Sequence, residues 1–229
     1  MDTLYAGEVK RRTGFDPTRV KSGSGKSSDD VYHYEGKEGS APDVPYIYIT
    51  QKVPDKAFRN RTRVRQVVFE WSATRIGKEA FLGCSNLENV IYKEGSRLAV
   101  IDNGAFAWCQ KIKGMDLPVS LEKLGESAFN GCSGLKNITL SPKITTIEPS
   151  TFEGCSSLQH VNGMISIDAI KDRAFAYCTL LQSIDVKKSI AKTAFLEGRG
   201  HPLKSDTDYG EDGLNQNLIA KVFAQYISS

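Results

Sequence analysis

Ala128–Leu158, AFNGCSGLKNITLSPKITTIEPSTFEGCSSL, holds two copies of one pattern. Phe-x-x-Cys-x-x-Leu starts at Phe129 and again at Phe152. It also starts at Phe81, at Phe175 and at Phe106, where Ile112 takes the leucine slot. Degenerate copies start at Phe58, with Arg61 in the cysteine slot, and at Phe195, with Gly198 there. The phenylalanines stand 23, 25, 23, 23, 23 and 20 residues apart. A period in that range marks a stack of like units, each able to bury its apolar face only against its neighbours.

Further apolar positions repeat inside each period. Three, six and eight residues after the cysteine come Leu135, Ile138 and Leu140 in one copy, and Leu181, Ile184 and Val186 in another. Leu-x-x-Ile-x-Leu predicts a short strand whose alternate residues face inward and outward. Eight and five residues before the phenylalanine come Leu121/Leu124, Ile144/Ile147 and Ile167/Ile170, the return side of each coil. The Ala-Phe-x-x-Cys piece predicts one helical turn, because residues three and four apart share a helix face. These readings give an α/β solenoid.

From Tyr46 to Phe195 the residues resemble the BspA-like leucine-rich-repeat family, whose unit reads Leu-x-x-Ile-x-Leu-Pro…Leu-x-x-Ile-Gly-x-x-Ala-Phe-x-x-Cys-x-x-Leu. Ile76–Cys84, IGKEAFLGC, matches it almost residue for residue. The resemblance implies a right-handed stack of six to seven repeats with a parallel strand ladder and short helical turns. The family is known for surface adhesins and protein-binding modules rather than catalysts.

Composition excludes some classes. The 229 residues carry a net charge of +3 with 25% charged residues, which favours neither nucleic acid nor a membrane surface as partner. MDTLYAGEVKRR lacks the apolar run of a secretory signal, and no stretch reaches the length of a membrane span. A cytoplasmic monomer is the expectation; the family resemblance implies the cell surface as the alternative.

Residues 1–45 are polar and punctuated, which predicts a mobile leader. Gly23-Ser-Gly25-Lys26-Ser27 lacks the leading glycine of a phosphate-binding loop, since Val20 stands there. Residues 46–195 form the solenoid, opening at Tyr46–Ile49. Arg59, Arg61, Arg63 and Arg65 alternate along the next segment and read as a charged rim on the first coil, blunting its open edge. Residues 196–229 are a turn-rich loop followed by Leu214–Ile227, whose apolar residues fall four apart in two adjacent stripes. That pattern predicts an amphipathic helix with Asp212 as N-cap, capping the open end of the stack.

Chemistry-bearing residues form no catalytic set. Cys84, Cys109, Cys132, Cys155 and Cys178 all occupy one slot, without CxxC pairs and without one being singled out beside a base. They read as buried, inert thiols. His33, His160 and His201 stand at unrelated phases, so no metal or other cofactor is expected. What remains is the outward side of the strand ladder. Five residues after each cysteine slot come Gln66, Asn89, Gly114, Asn137, His160 and Ser183; seven after come Val68, Ile91, Asp116, Thr139, Asn162 and Asp185. This face is the candidate site for an unidentified protein partner. The expected function is a non-enzymatic binding module, scaffold or adaptor, with a surface adhesin as the alternative.

Overall fold

The computed structural model describes residues 31–36, 41–182 and 189–190. Its chain coils so that each period contributes one strand to each of two parallel ladders. The first ladder holds β1 (Val31–Tyr34), β2 (Tyr46–Ile49), β3 (Gln66–Phe69) and β5 (Asn89–Tyr92), then β7 (Gly114–Asp116), β9 (Asn137–Thr139) and β11 (His160–Asn162). The second holds β4 (Arg75–Ile76), β6 (Val100–Ile101) and β8 (Lys123–Leu124), then β10 (Thr146–Ile147), β12 (Ala169–Ile170) and β13 (Ser189–Ile190). The first ladder is interrupted between β5 and β7, in the coil where the phenylalanine spacing widens to 25 residues.

Register follows the repeat. Ile47 pairs with Val67 and Val67 with Val90; Met115 pairs with Ile138 and Ile138 with Val161. These residues face inward and meet Ile76, Ile101, Leu124, Ile147 and Ile170 from the second ladder in one continuous core. Equivalent residues stack on equivalent residues, so a side chain that fits one coil fits the next.

Phe58, Phe81, Phe106, Phe129, Phe152 and Phe175 form a column through that core. Successive ring centroids lie 4.9, 5.3, 5.6, 5.6 and 5.3 Å apart, with planes within 14° of parallel. The separation is close to the ~4.8 Å strand spacing, so the rings stack face to face with a slight offset.

The short helical turns expected around these phenylalanines are absent: the segments are runs of tight turns, not helix. In Gly77–Ser85 alternate amides point in different directions. Glu79, Phe81 and Gly83 donate to the carbonyls of Asn103, Ala105 and Ala107 on the next coil, at 2.8–2.9 Å. Ala80, Leu82 and Cys84 close three-residue turns onto Gly77, Glu79 and Phe81. An α-helix would send every amide back along its own chain. Here half of them tie coil to coil, which needs left-handed backbone two residues either side of the phenylalanine. Glu79, Ser127, Ser150 and Arg173 adopt it before, and Gly83, Trp108, Gly131, Gly154 and Tyr177 after. A helical turn and this arrangement place Phe and Cys on the same side, so the apolar spacing does not separate them.

The cysteine slot has a specific role in this frame. Each thiol donates to the carbonyl of the phenylalanine one coil back: Cys84 to Phe58, Cys109 to Phe81, Cys132 to Phe106, Cys155 to Phe129 and Cys178 to Phe152, at 3.1–3.2 Å. Those carbonyls also accept the amide of their own coil's residue three positions on. A small side chain with a weak donor completes the bonding of an oxygen inside an apolar core.

The ladder starts earlier than its sequence suggests. Val31–Tyr34, within the polar 1–45 stretch, pairs in parallel with Tyr46–Ile49, and the Tyr34 ring meets Phe58 edge-on at 5.1 Å. β3 is therefore not the rim, and the arginines before it do not blunt an edge. Arg59 pairs with Glu79 at 2.7 Å, and Arg61 Nε donates to the Ala41 carbonyl at 2.8 Å. Gly23–Ser27, Ser183, Asp185, Phe195, His201 and Leu214–Ile227 lie outside the described residues. No helix among the described residues is long and apolar enough to cross a membrane.

Candidate protein-binding face

The first ladder places the candidate residues in two rows on its outward side. Gln66, Asn89, Gly114, Asn137 and His160 hold the first position of β3, β5, β7, β9 and β11; Val68, Ile91, Asp116, Thr139 and Asn162 hold the third. Pairing brings Gln66 beside Asn89, Val68 beside Ile91, and Gly114, Asn137 and His160 into one line.

Accessibility divides these rows. Gly114, Asp116, Asn137, His160 and Asn162 are exposed, and Thr139, Asn89 and Ile91 half-buried. Gln66 and Val68 are only 3% and 1% exposed, so the expectation that they offer a binding surface fails. Alternation along a strand fixes which side a residue faces, but not whether that side meets water. Beside them on β2, Tyr48 is buried as well, and His33 of β1 stacks on its ring at 5.3 Å.

The open part is narrow: three strands span about 10 Å between the outer two. A partner must therefore also touch the turns on either side. Before the strands stand exposed Lys111, Lys113 and Lys136. After them stand exposed Val119 (73%), Pro142 and Ile165 (69%), at equivalent positions of three successive coils. These flanks are missing from the sequence reading. The available signal was an apolar residue at a repeat position outside the apolar phase. Ser120 and Ser141 brace this side by donating to the Leu98 and Val119 carbonyls at 2.8 and 3.2 Å.

The groups with other chemistry are used in packing. All five cysteines are free and buried, and burial pushes Cys84 and Cys132 up to about 12 and the other three upward as well. A thiol held protonated is a poor nucleophile or metal ligand. His33 and His160 stand on strands at opposite ends of the first ladder. Burial opposes ionisation of Asp102, but Arg75 at 2.7 Å, the Asn103 amide and Lys123 hold its carboxyl below the usual range. Glu153 is likewise desolvated and yet held low by Arg173 and Ser150. Both carboxylates bridge successive coils, as does Glu79 with Arg59.

The match to known families follows this geometry. The model of the BspA type leucine rich repeat region fits six copies over residues 51–182, more than half of the chain. The chain belongs to the BspA-type leucine-rich-repeat family. Similar solved structures include a leucine-rich cell surface protein from Faecalibacterium prausnitzii A2-165, 24% identical, covering 74% of this chain and 45% of that one with a TM-score of 0.55. A leucine rich repeat protein of T. pallidum is 21% identical over 66% of this chain and 78% of its own, with a TM-score of 0.48. One from Bacteroides ovatus ATCC 8483 is 20% identical over 72% and 46%, with a TM-score of 0.45. The chain thus spans about half the length of two of them. The similarity to the F. prausnitzii protein shows the fold. No curated protein matches in sequence. As a BspA-type repeat, the molecule is a parallel solenoid of the protein-interaction scaffold type.

Proposed function

We propose that this chain is a non-enzymatic protein-binding module, a scaffold or adaptor, whose contact surface is the open half of its first ladder. Asp116, Asn137, Thr139, His160 and Asn162 supply a polar centre, with Lys113 and Lys136 on one flank and Val119, Pro142 and Ile165 on the other. The single observation that supports this most is the exposure of Val119 and Ile165. Large apolar side chains left in water at matching repeat positions suit a surface that another protein covers. The polar centre supplies hydrogen bonds on strands that the core holds rigid, and the apolar flank supplies burial.

The test is affinity capture from cell extract with the intact chain, with Asn137→Arg/His160→Asp, and with Lys171→Glu, an exposed position beside the second ladder. The intact chain and the Lys171 variant should capture the same partner, and the ladder variant should lose it at unchanged melting temperature. Equal capture by all three would move the site elsewhere. A surface adhesin is the second reading, in line with the family and with the cell surface protein of F. prausnitzii among the similar structures. Fractionation separates them: an adaptor stays with cytoplasmic markers, and an adhesin is reached by protease added to intact cells.

A further inference from the structure

Charges on this solenoid are mostly matched from coil to coil. Arg59 pairs with Glu79, Lys93 with Glu70, Lys143 with Glu122 and Arg173 with Glu153. Lys111, Lys113 and Lys136 break that rule. They are exposed just before β7 and β9, and among the described residues none of them pairs with a carboxylate. Lys113 and Lys136 also hold the same position on adjacent coils, where the Lys136 amide donates to the Lys113 carbonyl at 2.8 Å. Like charges set side by side on neighbouring strands repel. At this position on earlier coils the signs alternate, Arg65 standing beside Glu88, whose amide it accepts at 2.8 Å. The basic row is thus a local cost that an anionic partner removes.

The other rim gives that partner a shape. Val119 and Pro142 stand six residues after Lys113 and Lys136, and Ile165 stands six after Gln159 on the next coil. The phenylalanine rings of these three coils repeat every 5.6 Å. A helix brings side chains back to one face every ~5.4 Å, and an extended chain every ~6.7 Å. After two coils the helix is out of step by about 0.5 Å and the extended chain by about 2 Å. Six residues span at most ~20 Å, and a helix with its side chains is about 10–12 Å wide. The flexible lysine stems cover the remainder. Asp116 lies between the two rows and keeps carboxylates off the centre, so they fall on the lysine side.

We propose that the open half of the first ladder receives an acidic amphipathic helix of another protein, its axis running from coil to coil. Apolar residues at i, i+4 and i+7 cover Val119, Pro142 and Ile165, and Asp or Glu on the adjoining stripe meets Lys111, Lys113 and Lys136. Nucleic acid would match the lysines alone and leave the apolar row in water. This inference rests on the open half being the contact surface, and adds the chemistry and shape of what it contacts.

The test selects binders of the intact chain from a random-peptide display library, so the peptides themselves report what the surface takes. The best peptide is then measured against the intact chain, Lys111→Glu/Lys113→Glu/Lys136→Glu, Asn137→Arg/His160→Asp and Lys171→Glu, with melting temperatures as the control for folding. Selected peptides should carry excess Asp and Glu beside apolar residues at helical spacing. Charge reversal of the three lysines should weaken binding at least about tenfold, and the Lys171 variant should not. Binding should also weaken as salt is raised, and a proline in the middle of the peptide should abolish it. Peptides that lose binding with Asn137→Arg/His160→Asp but not with the lysine variant would overturn this inference and leave the contact surface standing. So would peptides that tolerate the central proline, or a single-stranded oligonucleotide that binds more tightly through the same lysines. Peptides indifferent to both variants, or no enrichment at all, would overturn the contact surface as well.

Discussion

Replacing Phe129 by alanine tests the column on which the coils stack. Phe129 is fully buried, and its ring lies 5.6 Å from both Phe106 and Phe152. Truncating a buried phenylalanine costs about 3–5 kcal/mol, through lost burial and the cavity left behind. Each stacked pair adds about 0.5–1.5 kcal/mol, and Phe129 belongs to two. The coil has no spare side chain to collapse into the gap, because Cys132, Leu135 and Ala128 around it are already fully buried. The loss should therefore reach or exceed the upper end, about 5 kcal/mol. Phe129→Leu keeps most of the burial and forfeits the stacking, so it should fall between. Lys136→Ala, on the exposed rim of the same coil, should stay within about 0.5 kcal/mol. Urea unfolding at 25 °C measures all three. In a domain of this size each kcal/mol moves the melting temperature by about 2–4 °C, so calorimetry gives an independent reading. A Phe129→Ala chain within 1 kcal/mol of Lys136→Ala would refute the idea that the column carries the stack.

The cysteines should resist alkylation by iodoacetamide in the native protein and label together on unfolding; fast native labelling of Cys132, read by mass spectrometry, would contradict its burial. Cys132→Ser should be tolerated within about 1 kcal/mol, since a hydroxyl can donate to the Phe106 carbonyl, whereas Cys132→Val should cost about 1–3 kcal/mol by overpacking and loss of the donor. Gly131→Ala should destabilise twice over, because Gly131 has φ 70° and an added Cβ would sit 2.8 Å from the Trp108 ring. In a Trp108→Ala background only the backbone cost, about 1 kcal/mol, should remain, and equal losses in both backgrounds would show that the ring is not the obstacle. The carboxyls of Asp102 and Glu153 are held below their ordinary values, so their stabilisation is complete above the unfolded pKa, near 4. It should fade as pH drops through the folded values. Asp102→Asn should flatten the acid side of a stability-against-pH curve, and an unchanged acid limb would mean that the Arg75 bridge contributes nothing.

Phe-x-x-Cys-x-x-Leu at a near-constant period determined the architecture of this protein by itself. Residues that repeat in sequence must repeat in space once the coils stack, so Phe129, Cys132, Leu135 and Ile138 could be placed inward without coordinates. The shape of the Phe–Cys turn was decided only by the tertiary structure. A helical turn buries the same side chains, and what selects the other form is hydrogen bonding to a coil some 23 residues away. Phe81 gives its amide to Ala105, and Cys109 gives its thiol hydrogen to Phe81. The candidate face divides along the same line. Strand alternation in the sequence turns Val68 and Asp116 outward alike, because it records direction relative to the strand. Val68 is buried and Asp116 exposed, because exposure depends on the surroundings of each strand in the folded chain, which alternation does not record.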